Sequence, residues 1–184
     1  MTAVDPAQAE QIRRFLGGYP PSVQADVQRL VGQSRLGLYL ARRYPDPQPI
    51  QTDAALHDYV LWLKQAHLRS SGPLHKVIWQ NKMDVLQNVL GLHTTISRVQ
   101  GSRLKAKAEI RIASLFKSTA PEFLEMVVVH ELAHLREHDH NKAFYQLCVH
   151  MLPDYHQVEF DLRLLLLQRA LTAAASRSDA DRQS

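Results

Sequence analysis

Apolar residues recur along this chain at two different periods, and the change of period divides it. Val23, Val27, Leu30 and Val31 keep the i, i+4, i+7, i+8 spacing of one helix face, with Pro20, Pro21 and Ser22 just ahead to start the turn. A second short helix is expected at about 34–44. The prolines of "YPDPQPIQ" then interrupt the helical pattern, and Thr52 stands where it can cap a third helix with Leu56, Tyr59, Val60 and Leu63 on its apolar face. Past the breaker "SSGP" the period falls to two. Leu104, Ala106, Ala108, Ile110 and Ile112 are apolar, while the residues between them, Arg103, Lys105, Lys107, Glu109 and Arg111, are all charged. That alternation describes a half-buried strand. The β-branched stretch "LHTTISRV" before it and the turn-forming "QGS" at 100–102 make an antiparallel hairpin the expected partner.

Helical character returns at "STAPEFLEMVVVHELAHLREH". Thr119 and Glu122 have capping-box spacing and Pro121 suits a first turn, so a helix is expected to start near 120. From Phe123 to Leu135 it is apolar nearly all round, the mark of a helix buried in the body of a domain. Phe144, Leu147, Cys148 and Met151 then keep helical spacing and read as core packing. Residues 1–10 read as a loose end and 175–184 as a polar tail, neither expected to carry function. The expectation is one α+β domain: a helical part at about 11–70, a small antiparallel-rich sheet at about 76–113, and further helices at about 120–174.

Composition adds few constraints. With 184 residues, 45% hydrophobic and 22% charged, the chain can bury a core and is neither fibrous nor disordered. A single cysteine, Cys148, excludes an internal disulfide, and "MTAVDPAQAEQIRR" lacks the plan of a signal peptide, which points to a reduced cytoplasmic setting. The apolar run "LRLLLLQRALTAAA" is cut by Arg163 and Arg169 and falls short of the about 20 residues needed to cross a bilayer. A net charge of +4 favours phosphates as partners without requiring them.

The histidines change the picture most. On a helix, His130 and His134 share one face with about 6 Å of rise between them, a gap that two imidazoles can close around one ion. With Glu131 they form HExxH, and neutral imidazoles suit Zn2+, whose catalytic sites take three protein ligands. His138 continues the four-residue step but stands about 12 Å along the axis from His130 and roughly 80° around it, too far to share the ion. His140 can reach if the helix frays near 137–139, where Asp139 and Asn141 tolerate a reversal. This spacing equals the metzincin pattern HExxHxxGxxH, except that Glu137 replaces the turn glycine. Two other readings stand beside this one: histidines merely hydrogen-bonded in a core, and a structural zinc site, which more typically recruits cysteines and leaves Glu131 without a task.

The segments "VVVHELAHLREHDHNKAFYQLCVHMLPDYHQVEFDLRL" and "LGLHTTISRVQGSRLKAKAEIRIA", together with "SRLGLYLARRYP", resemble the YgjP-like metallopeptidase domain, a compact zincin family related in its core to the SprT-like proteases. The resemblance covers nearly the whole chain. It implies a zincin-like minimal metalloprotease core with N-terminal helices, a small sheet, a buried HExxH helix and C-terminal helices closing the site. It further implies His130, His134 and His140 as ligands of one Zn2+ and Glu131 as the catalytic glutamate. Phe144 and Tyr145 stand where many shorter members have Phe-Trp.

Zinc with a glutamate base points to hydrolysis of a peptide bond first and of a phosphoanhydride second. A peptide substrate can align by strand addition. The second reading follows from the resemblance, because some family members are labelled UTP pyrophosphatase, releasing UMP and diphosphate. For that substrate Arg103, Lys105, Lys107 and Arg111 can neutralise phosphates, with Tyr145 as a further contact, although the simpler reading of the basic strand face is a solvated surface. Docking on nucleic acid has least support, since no aromatic residues interleave with those charges. Tyr145, His150, Tyr155 and His156 are candidates for a transition-state donor or for a partner to a ligand imidazole, and Asp154 and Glu159 for orienting the ligands.

Overall fold

A computed structural model describes residues 5–81 and 108–182. Within it the chain forms two compact units, Met1–Pro45 with Phe160–Ser184, and Asp46–Glu159.

The first unit is helical. Helix α1, Pro6–Leu16, starts within the stretch expected to be loose: Asp5 accepts from the amide of Ala7 at 3.1 Å and Pro6 fills the first turn. Ile12, Phe15 and Leu16 form its buried stripe, so the first ten residues belong in part to an anchored helix. Helices α2, Pro21–Gly32, and α3, Leu36–Arg43, follow as the pattern predicts. The polar tail is also helical as far as Arg182, because the last helix, Tyr155–Arg182, runs into it. Helix propagation is cheap once a buried stretch has nucleated it. Leu162, Leu164, Leu166 and Leu167 supply that stretch, and Thr172 and Ser176 donate their hydroxyls to the carbonyls of Gln168 and Thr172 at 3.0 and 3.1 Å.

Asp161 is fully buried in this unit and accepts hydrogen bonds from the hydroxyls of Tyr39, at 3.0 Å, and Tyr44, at 2.7 Å, while the Arg43 guanidinium pairs with it at 3.0 Å. A buried carboxylate is tolerable only with such partners. Asp161→Ala is therefore expected to cost about 2–3 kcal/mol, read as a lower urea midpoint at unchanged slope.

The second unit opens with α4, Asp53–His67, capped by Thr52, whose side chain accepts from the amide of Ala55 at 3.1 Å. Leu56, Val60 and Leu63 are its buried face. Strand β1, Leu74–Gln80, pairs with β2, Ala108–Ala113, and the pairing is parallel, matching Val77 with Ile110 and Trp79 with Ile112. For this pair the expected antiparallel arrangement is overturned. Parallel neighbours need a crossover of a dozen or more residues, and residues 81–107 provide that length. The expected hairpin at "LHTTISRV" and "QGS" lies outside the described residues. Within β2 the period of two holds, with Ile110 and Ile112 buried and Glu109 and Arg111 outward.

A 3-10 turn, Ser114–Ser118, leads into α5, Pro121–Ala133. The capping box is not formed. Thr119 turns its hydroxyl back to the carbonyl of Phe116 at 3.0 Å, closing the preceding turn, and Ala120 occupies the cap position without a side-chain bond. Met126 to Val129, Leu132 and Ala133 are fully buried, as an all-round apolar helix must be. Glu125 on this helix has its carboxyl raised above the usual range, by burial first and the Glu122 charge second. A raised folded-state value means that the native protein loses stability as pH climbs through it. Glu125→Gln is expected to raise Tm at pH 8 and to leave it unchanged at pH 3, where the carboxyl is protonated in both states; equal gains at both pH values would exclude this cause. Helix α6, Lys142–Met151, and α7, Tyr155–Arg182, whose first turn belongs to this unit, complete it.

Candidate metal centre

The site is built where α5 gives way to α6. His130 lies in the last turn of α5 and His134 at its C-cap, and the helical bonding runs on to Glu137, whose amide donates to Ala133 at 2.9 Å. The chain then reverses. Asn141 donates its amide to the carbonyl of Asp139 at 2.8 Å and caps α6 by accepting from the amide of Phe144 at 2.9 Å. This reversal carries His140 back over the end of α5.

The three Nε2 atoms meet: His130 to His134 at 3.2 Å, His134 to His140 at 3.0 Å, and His140 to His130 at 3.1 Å. Among the described residues these three histidines form the group of close donors that can hold a metal ion. His138 is exposed and lies outside this group, in the bend that follows the helix. Glu131, the other member of HExxH, is not among the close donors.

The outer nitrogens are also engaged. Nδ1 of His134 donates to the backbone carbonyl of Glu137 at 3.0 Å. A carbonyl only accepts, so this bond puts the ring proton on Nδ1 and leaves an Nε2 lone pair facing the other two rings. Nδ1 of His130 lies 2.8 Å from the hydroxyl of Tyr155, itself 1% exposed. Burial, and then the neighbouring imidazoles, push His130 down to about 3; His134 is also lowered, mainly by burial. Both are therefore neutral near pH 7, the state a ligand requires.

Three nitrogens this close cannot all be satisfied by one another's protons, whereas one shared cation satisfies them together. Their spacing is close to the about 3.3 Å expected between tetrahedral nitrogens at about 2.0–2.1 Å from zinc. The donor set fits the metal.

Phe144 forms the floor of the cluster, with ring centroids 4.6–5.0 Å from all three imidazoles. Its spacing reads simply as core, and nothing in the pattern distinguishes this contact from ordinary packing. Tyr145 reaches the rim, 6.3 Å from His140 between ring centroids and 5.5 Å from His156. His150 instead packs edge-on against His67 at 5.9 Å, and His156 faces Glu159 at 3.9 Å. Of the candidates for orienting ligands, Tyr155 is brought into contact with His130; Glu137 acts through a backbone carbonyl, which no residue type announces. Burial pushes the Cys148 thiol up to about 12, so it remains a thiol. Glu131 is raised to about 7 by burial alone, within the range of a base that works near neutrality. On β2, Arg111 bonds to Glu109 at 3.1 Å, and Lys76 lies 3.5 Å from the same carboxylate. Arg103, Lys105 and Lys107 lie outside the described residues.

Residues 46–164 match the YgjP-like, metallopeptidase domain. The chain belongs to this family. The YgjP-like match takes in the whole of the second unit, Asp46–Glu159, and with it every residue of the histidine cluster. A relative from Escherichia coli (strain K12), named UTP pyrophosphatase, is 54% identical over 157 residues, which span 85% of this chain and 94% of the relative. No solved structure matches the chain at a significant level. Among the described residues no helix is long and apolar enough to cross a membrane.

Proposed function

We propose that this YgjP-like protein is a zinc-dependent hydrolase in which His130, His134 and His140 hold one Zn2+ and Glu131 is the general base. We further infer that its substrate is a nucleoside triphosphate, UTP, cleaved to UMP and diphosphate. The observation that carries the hydrolase reading is the triangle of Nε2 atoms at 3.0–3.2 Å on a buried HExxH helix. The substrate rests on the relative named UTP pyrophosphatase, 54% identical across nearly its whole length. This reverses the order in which the residues alone place the two substrates.

When bound, zinc supplies Lewis acidity and lowers the pKa of water towards about 7. The chain's own residues do the rest. The Glu137 carbonyl and the Tyr155 hydroxyl fix two imidazoles by their outer nitrogens. Glu131 takes the proton of the attacking water as its oxygen bonds to the α-phosphorus, and the bond to the diphosphate leaving group breaks. The same carboxyl then returns that proton to the departing oxygen. Tyr145, 6.3 Å from His140 between ring centroids, is the aromatic candidate for a substrate contact, and Arg103, Lys105, Lys107 and Arg111 are the basic candidates for its phosphates, with Arg111 already committed in part to Glu109. The metallopeptidase description of the family favours peptide hydrolysis as the second reading.

The test is metal content measured together with hydrolysis of UTP and of unfolded polypeptide by the same preparation. One equivalent of zinc with release of UMP and diphosphate, abolished by a chelator and restored by zinc, is the expected result. Peptide cleavage without UTP turnover would transfer the site to the second reading, and a protein that binds no zinc would remove both.

A further inference from the structure

The turn between α2 and α3 builds a cavity of its own. The amide of Arg35 donates to the carbonyl of Leu30 and that of Ser34 to the carbonyl of Val31, both at 2.9 Å, with Ser34 at φ 54°. These two bonds close the end of α2 in the way a glycine usually does, and they set α3 beside Leu30. On α3, Leu36 and Leu40 are buried, whereas Arg35, Leu38, Tyr39 and Arg42 recur at the i, i+3, i+4, i+7 spacing of a second face. Together with Leu30 and Arg43 they line a cavity of about 380 Å³, within the about 300–1,000 Å³ typical of small-molecule sites. The cavity belongs wholly to the first unit and lies outside the residues that carry the family match, 46–164.

Two lining residues are held from behind, because Tyr39 and Arg43 both reach the buried carboxylate of Asp161, at 3.0 Å each. That carboxylate also offsets the Arg43 charge. Arg35 reaches the neutral Gln33 side chain at 3.5 Å, and among the described residues neither Arg35 nor Arg42 forms an ion pair. Two uncompensated guanidiniums therefore stand two turns apart on one face, about 10 Å along the axis, a gap that two long side chains can close around one anion. Leu38, 48% exposed, lies between them, and with Leu30 it gives the cavity an apolar floor. Guanidinium forks match phosphate oxygens, and an apolar floor favours a ligand body that water releases. The charge does not run on into a track, since Arg29 of α2 is paired with Asp26 at 2.8 Å. A nucleic-acid strand draws its affinity from many phosphate contacts, so the arrangement favours a small ligand. We propose that this cavity binds a small organic phosphate, a phosphate ester on an apolar or aromatic body, with Arg35 and Arg42 closing on the phosphate and Leu30 and Leu38 beneath the body. The site is independent of the metal centre and of the hydrolytic reading.

The test is a titration of the full-length protein, labelled with 13C at its leucine methyl groups and with zinc present, with naphthyl phosphate. The methyl signals of Leu30 and Leu38 report this cavity and no other place. They are expected to shift saturably, with half-saturation at about 1 mM or below. Inorganic phosphate, which lacks the body, and naphthol, which lacks the charge, should each bind at least about 10-fold more weakly. Arg35→Gln and Arg42→Gln are each expected to weaken binding about 10-fold, the scale of one charge-assisted hydrogen bond, while Arg29→Gln, already paired outside the cavity, should change nothing. Leu38→Glu should abolish binding without lowering Tm, because a carboxylate there stands three residues after Arg35 and four before Arg42, where opposite charges pair on a helix. Should that variant fail to fold, the two exposed arginine variants carry the comparison. Unmoved Leu30 and Leu38 methyl signals, inorganic phosphate binding as well as the ester, or an equal loss in Arg29→Gln would overturn the proposal. Shifts of the same methyl groups by a single-stranded oligonucleotide but not by naphthyl phosphate would overturn it too, and would make the face a docking surface for nucleic acid.

Discussion

Replacing Glu131 by glutamine is expected to lower the turnover number by about 10²- to 10⁴-fold while the protein still binds one zinc ion, the loss typical of a removed general base. The two halves of this result follow from different observations. Glu131 is absent from the group of close donors, so its replacement leaves the three imidazoles in place. Glutamine has the shape of glutamate but cannot take a proton from water near neutral pH. Steady-state hydrolysis and metal content should be measured on one preparation. A variant that turns over like the wild type would remove Glu131 from the chemistry, and a variant that lost its metal would show the carboxylate to be a ligand.

The second large effect is expected at His140. Structural zinc sites with four ligands are worth about 10–16 kcal/mol at pH 7, or roughly 2.5–4 kcal/mol per ligand, so His140→Ala should weaken zinc binding by roughly 10²- to 10³-fold. His140 is exposed and lies outside both helices, so the fold should survive its loss. His138→Ala is the matched control. It is exposed in the same loop and two residues away, yet it lies outside the cluster, so its affinity should equal that of wild type. Equal losses at both positions would show that the loop as a whole, rather than one imidazole, holds the metal.

Much of the second unit was legible in the sequence. The heavy burial of α5 follows from its continuous apolar composition, and the convergence of His130, His134 and His140 follows from helix geometry together with turn-tolerant residues before and after His140. The errors share a cause. Thr119 and Glu122 have the spacing of a capping box, but the 3-10 turn before them claims the hydroxyl first. Asp5 and Pro6 are a helix start signal inside the otherwise loose residues 1–10, and the buried leucines upstream carry their helix into the polar tail. In each case a neighbour outside the local pattern competes with it or supports it.

The sequence by itself determined the periodic elements and which three histidines converge, because both depend on distances of a few residues that helix and strand geometry fixes. It also carries the family, through motifs spread along residues 46–164. Only the tertiary structure decided the parallel pairing of β1 with β2, since strand direction depends on the path of the intervening chain and leaves no mark on either strand. The same is true of what stands behind the histidines. Phe144 under the rings, the Glu137 carbonyl on His134, and the Tyr155 hydroxyl on His130 are contacts between separate segments or with a backbone group, and neither kind has a spacing to read.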